Sequence, residues 1–261
     1  MPFTQTNDVP VYYEVKGPEN PADTLVFAHG AGGNAAIWFN QIAYFASRYR
    51  VIAFDHRGFG RTRLPEAPLT VQQFRDDLLT ILDETEVESA HLVGQSMGGF
   101  TVLRTTLDAR ERVRSLTFSA TSGGIYTPTP SEAVGKLTSS GDRNASGVKD
   151  TMSVATKARA GLMQLYESIN NFNTDFAWSN LASLLGDGGV VQWETLAQVQ
   201  VPTIFIAGAE DPLFPSETLA SFVPNFPDAR IEVVRDAGHS PYFEQPDVFN
   251  RILEEHIQSA M

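Results

Sequence analysis

The chain has 261 residues, 42% of them hydrophobic and 19% charged, and a formal net charge of −12. This fits one enzyme-sized globular unit with a sizeable core, and the negative charge argues against nucleic acid and anionic membranes as partners. Cysteine is absent, which excludes disulfides, thiolate metal sites and a cysteine nucleophile.

The first residues, MPFTQTNDVPVYYEVKG, show no basic start followed by an apolar run, so no secretory signal is read there. No stretch reaches the roughly 18 uninterrupted apolar residues of a membrane helix. A soluble, cytoplasmic protein is the expectation. Two runs around Asn7-Asp8, PFTQT and VPVYYEV, predict an antiparallel hairpin.

Strand-length apolar runs then follow one another: TLVFA (24–28), RVIAF (50–54), AHLVG (90–94), RSLTFSA (114–120), PTIFIAG (202–208) and RIEVV (230–234). Continuous apolar runs suit strands covered on both faces. Between them the spacing becomes helical. In TVQQFRDDLLTILDET the residues Val71, Phe74, Leu78 and Ile81/Leu82 form one stripe, with Thr70 as N-cap and Gln73 completing a capping box. AAIWFNQIAYFASR (35–48) and MGGFTVLRTTLDAR (97–110) also read as helices. This alternation predicts an α/β fold with a mainly parallel, doubly wound sheet of about eight strands.

The alternation breaks between about Ile125 and Val199. A helix-like run places Met152, Ala155, Ala158, Leu162, Leu165/Tyr166 and Ile169 at intervals of three or four. The stretch is too long for an ordinary loop. The expected organisation is a core of residues 1–124 and 200–261, with 125–199 a small helical cap inserted after the sixth strand.

The chemistry gathers around HLVGQSMGGF (91–100). The strand must reverse into a helix within two or three residues. That pushes Ser96 into a strained conformation and lifts its side chain above the sheet, and a Cβ on Gly94 or Gly98 would collide with neighbouring chain. A serine hydroxyl needs a base. Among five histidines, His239 follows the last expected strand in a glycine-bearing turn, where carboxyl-end loops converge. Its imidazole needs a carboxylate, and Asp211 stands directly after the preceding strand. Glu210 is adjacent, but neighbours on an extended chain end point apart, so only one aims inward. A developing oxyanion would meet the N–H of Met97 at a helix N-terminus, and a second donor from the loop HGAGGN (29–34).

Gly94-Gln95-Ser96-Met97-Gly98 between strand and helix, in the order Ser96, Asp211, His239, resembles the α/β-hydrolase family, as do SMGG, AGAEDP and AGHSPYFEQP in their register. The resemblance runs through the whole chain and is greatest to the small esterase, enol-lactonase and cofactor-free haloperoxidase branch. It implies Ala31, after His29-Gly30, as the second oxyanion donor, with His29 bracing the loop. It also implies that DHRGFGRT (55–62) is a structural turn in which Asp55 and Arg57 hold loops together.

A serine hydrolase acting on an ester, lactone or related acyl bond of a small molecule follows, without cofactor or metal. Tyr166, Phe172, Phe176, Trp178 and Trp193, with Phe214 and Tyr242, suggest a moderately hydrophobic substrate. The alternatives are the same fold and triad used for C–C bond hydrolysis, a lyase, perhydrolase or cofactor-free oxygenase reaction, or a hydrolase-fold binding protein. Oligomeric state is not written in the sequence.

Overall fold

Apolar residues of each central strand alternate between two buried layers, one on either face of a single sheet. Leu25 and Phe27 lie in one layer and Val26 and Ala28 in the other; Ile204 and Ile206 oppose Phe205 and Ala207 in the same way. Burial on both faces is what the continuous apolar runs require. The computed structural model describes residues 2–4, 9–19, 23–128, 150–173, 179–186 and 188–260.

The strands are β1 (Tyr13–Lys16), β2 (Thr24–Ala28), β3 (Arg50–Phe54), β4 (Ala90–Gln95), β5 (Val113–Ser119), β6 (Thr203–Gly208) and β7 (Ala229–Val234). They form one seven-stranded sheet in the order β1-β3-β2-β4-β5-β6-β7. Among the described residues only the β1–β3 strand pair is antiparallel. The chain passes from β2 to β3 on one side and then returns to place β4 on the other. The carboxyl ends of β2 and β4 therefore flank the point where the winding reverses.

Helices α1 (Phe39–Phe45), α2 (Val71–Glu84) and α3 (Gly98–Asp108) connect the first strands. The expected capping box of α2 is present: Gln73 N donates to Thr70 Oγ1 over 3.2 Å, and Thr70 N donates to Gln73 Oε1 over 3.0 Å. Its stripe of Val71, Phe74, Leu78, Ile81 and Leu82 is buried. Between β5 and β6 lie α4 (Val154–Lys157), α5 (Ala160–Asn170) and α6 (Ser179–Ala182); α7 (Ser216–Phe222), α8 (Pro241–Glu244) and α9 (Pro246–Ser259) follow later. The layer containing Leu25 includes α1, α8 and α9, and the layer containing Val26 includes α3 and α7. Among the described residues no helix is long and apolar enough to cross a membrane.

Five expectations change in detail. Phe3 makes an isolated antiparallel bridge to Tyr12, so among the described residues the sheet has seven strands where about eight were expected, and the helical segment follows β5. The turn at Asn7-Asp8 lies outside the described residues. RIEVV is the outermost strand and not a doubly covered one, and Val233 is exposed. Residues 35–48 divide into a 3-10 turn (Ala35–Trp38) and α1, because Asn34 caps the turn through Ala36 N (3.1 Å). The run from Met152 to Ile169 is two helices and not one. A break at Arg159 (φ −96°, ψ 78°) rotates the second, leaving Ala155, Ala158 and Leu165 exposed while Met152, Tyr166 and Ile169 are buried.

Candidate active site

Parallel register brings the serine and the glycine loop together. Ala28 at the end of β2 pairs with Gly94 of β4, so residues 29–31 and 95–97 leave the sheet side by side. Ser96 has φ +48°. A non-glycine residue in this left-handed region costs on the order of 1–3 kcal/mol and persists only where its surroundings impose it. Three hydrogen bonds do so: Ser96 N donates to Ser119 O (3.1 Å), while Ser96 O accepts from Gly99 N (2.9 Å) and Thr121 Oγ1 (2.6 Å). Glycine is needed on either side, since a Cβ on Gly98 would overlap the Ala28 carbonyl and one on Gly94 would sit 2.6 Å from Gly98 O. Ser96 is half-buried, whereas Gln95 and Met97 beside it are buried. Met97 occupies the entry to α3, where N–H groups have no acceptor within the helix.

Asp211 follows β6 and His239 follows β7, and the two side chains meet: His239 Nδ1 lies 3.0 Å from Asp211 Oδ2. The other carboxylate oxygen accepts Leu213 N (2.8 Å) and Phe214 N (3.2 Å), which fixes the plane of the carboxylate. The Phe214 ring stacks on the imidazole with centroids 5.8 Å apart and planes 21° from parallel. The adjacent Glu210 is exposed and its Oε2 accepts Val154 N (2.9 Å), so the two neighbouring carboxylates do point apart.

The histidine loop is held from beneath. Buried Glu244 accepts Gly238 N (2.9 Å) and Ser240 N (3.1 Å) on Oε1 and Ser153 N (2.8 Å) on Oε2. His239 N donates to Thr151 O (3.0 Å). Its carbonyl accepts Gln95 Nε2 over 3.0 Å, which ties the histidine to the residue preceding Ser96.

On the opposite side, Gly33 N donates to Gly30 O (3.0 Å) across a tight turn in which Gly32 has φ +89°. His29 Nδ1 donates to the same oxygen over 2.8 Å, and His29 Nε2 accepts His56 N over 2.9 Å. This pattern needs a neutral imidazole protonated at Nδ1, and burial lowers the His29 pKa to about 4. In a trans peptide N–H and C=O point oppositely, so two bonds on Gly30 O direct Ala31 N–H the other way. Gly30 lies against the turn at Ser96, where a Cβ would sit 2.9 Å from Ser96 Cβ. Asp55 Oδ1 and Oδ2 accept Ala35 N (2.6 Å) and Arg61 N (2.8 Å), and Arg57 pairs with Asp77 through two 2.7 Å bonds.

Residues 23–246 match the family model of the alpha/beta hydrolase fold. The chain belongs to the α/β-hydrolase family. It is an enzyme of the α/β-hydrolase superfamily. It is 29% identical over 255 residues to 3-oxoadipate enol-lactonase 1 of Acinetobacter baylyi, covering 94% of this chain and 92% of that one. It is 26% identical over 256 residues to a 2-hydroxy-6-oxononadienedioate/2-hydroxy-6-oxononatrienedioate hydrolase of a Pseudomonas species, with 90% and 87% covered. The enol-lactonase structure from Burkholderia xenovorans LB400 matches with a TM-score of 0.85 at 20% identity, covering 98% of this chain and 100% of that one, a likeness of fold.

The other histidines of this α/β-hydrolase are engaged elsewhere. His56 contacts Thr101 Oγ1 (2.8 Å), and His91 contacts Ser115 Oγ (2.8 Å) at the amino end of β4. Of the aromatic residues expected around a pocket, Tyr166 is buried against Phe243 (5.0 Å) and Tyr242 against Trp38 (4.4 Å). Phe172 is exposed. Trp193 packs on Phe222 of α7 (6.1 Å), in the layer away from the histidine loop. Phe176 and Trp178 lie outside the described residues. Gln95, Thr121, Thr151 and Glu244 have supporting positions that no motif spacing assigns; a lone acid amid the aromatics of SPYFEQP is the one local sign, and it marks Glu244.

Proposed function

We propose that this α/β-hydrolase cleaves an ester, lactone or related acyl bond of a small, moderately hydrophobic substrate through an acyl-serine intermediate. The observation carrying this reading is the buried Asp211–His239 pair, 3.0 Å between Oδ2 and Nδ1, tethered through Gln95 to a serine held at φ +48°. Ser96 Oγ attacks the carbonyl carbon as its proton passes to His239 Nε2. The tetrahedral oxyanion rests on the N–H groups of Ala31 and Met97. His239 then gives the proton to the leaving oxygen, the C–O bond breaks, and water activated by the same imidazole cleaves the acyl-serine. Asp211 keeps Nδ1 protonated and Nε2 free to accept. Residues 125–199 act as a cap over the carboxyl edge of the sheet, and Phe214 beside the imidazole supplies part of an apolar wall.

Similarity to a hydrolase whose name describes an oxononadienedioate substrate favours a second reading, C–C bond hydrolysis by the same groups. Turnover of short-chain aryl esters and small lactones by the parent and the Ser96→Ala form tests the first. A loss of about three orders of magnitude or more in kcat is expected. Parent-like activity of the Ser96→Ala form, or a parent that turns over only carbon-linked diketones, overturns it.

A further inference from the structure

Two carboxamides, Asn173 and Asn34, join the segment between β5 and β6 to the glycine loop. Asn173 stands just beyond α5. Its Nδ2 donates to Gly32 O over 2.8 Å, and its Oδ1 accepts Gly60 N over 2.8 Å. Asn34 reinforces the junction: its Nδ2 donates to Ile169 O (2.9 Å) and approaches Asn173 Oδ1 (3.4 Å), while its own Oδ1 caps the turn at Ala36. The end of α5 is thereby fastened to residues 32–34 and, through Gly60, to the turn that Asp55 also binds.

The loop it fastens has little stiffness of its own. Gly30, Gly32 and Gly33 surround Ala31, and glycine peptides reorient at low cost because no Cβ restricts them. An oxyanion donor gains its effect from being aimed before charge develops. His29 and Gly33 fix the peptide before Ala31. Asn173 fixes the next carbonyl but one, that of Gly32, and so opposes rotation of the turn from its other end.

The geometry points to Asn173 as a positioning residue for the oxyanion loop, so that the insertion sets the rate of acyl transfer and not only the access of substrate. This rests on the acyl-serine reading above. Asn173→Ala removes the bonds to Gly32 O, Gly60 N and Asn34 Nδ2; Asn173→Asp keeps an acceptor for Gly60 N and Asn34 Nδ2 but loses the donor to Gly32 O. Both variants, checked for a parent-like thermal melt, are expected to lower kcat on an aryl ester by about 10- to 100-fold, part of the loss for a deleted donor. KM should change by less than about threefold, and inhibition by a trifluoromethyl ketone, which forms the tetrahedral oxyanion adduct, should weaken in step with kcat. Nuclear magnetic resonance of the Gly30, Gly32 and Gly33 amides reads the loop without catalysis: exchange broadening is expected in both variants and not in the parent. A raised KM with unchanged kcat, or sharp parent-like glycine amides, overturns the proposal. A parent that neither turns over esters nor is labelled at Ser96 by a fluorophosphonate refutes the acyl-serine reading instead, and the amide spectra then still judge the hold of Asn173 on the loop.

Discussion

The side-chain amide of Gln95 donates to the main-chain carbonyl of His239 across 3.0 Å, joining residues 144 apart in the chain. Gln95 ends β4 immediately before Ser96, so the residue that precedes the nucleophile also restrains the base. Gln95→Leu keeps the volume but leaves the His239 carbonyl without this donor, a loss of about 1–2 kcal/mol. The expected result is a fall in kcat/KM of about 5- to 30-fold. Steady-state kinetics on one aryl ester checks it, and unchanged kinetics would show that Asp211, Glu244 and Thr151 suffice to hold the histidine.

Replacing Asp211 by Asn leaves the Leu213 and Phe214 amides a carbonyl oxygen to bind, but presents His239 Nδ1 with an altered partner that no longer enforces the tautomer with Nε2 free. The fold is expected to survive and kcat to fall by about three to four orders of magnitude. Circular dichroism alongside kinetics separates the two effects. A drop of less than tenfold would mean that the tautomer is set by something else.

Burial lowers the pKa of His29, His91 and His256 to about 4 each. An unfolded imidazole titrates near 6.5, so between about pH 6.5 and 4 the unfolded chain binds protons that the folded one refuses. Stability therefore falls as pH falls through that window, by up to about 1.4 kcal/mol per pH unit for each histidine. Urea midpoints measured at pH 7.5, 6 and 5 should decline stepwise, and His91→Gln should flatten the slope. Equal midpoints at pH 7.5 and 5 would contradict the burial argument.

What the sequence discloses divides along physical lines. Local interactions are legible: the Thr70–Gln73 capping box, the stripe on α2 and the serine between Gly94 and Gly98 all depend on residues within a few positions. The central strands are legible because burial on both faces forces continuous apolar runs. β7 carries the same kind of run yet lies at the sheet edge, since strand order is a tertiary property. The kink at Arg159 escapes a spacing argument because it depends on two helices packing differently. Gln95, Glu244 and Asn173 act on backbone groups of distant loops. A backbone carbonyl or amide leaves no mark in the sequence, so their partners appear only in three dimensions.

The most direct measurement is intact-mass spectrometry after treatment with a fluorophosphonate, which bonds to an activated serine and releases fluoride. One adduct per chain is expected, mapped to Ser96 by peptide sequencing, absent from Ser96→Ala and formed far more slowly in His239→Ala. A folded parent protein that stays unlabelled, or an adduct on any residue other than Ser96, would contradict the assignment of Ser96 as the nucleophile.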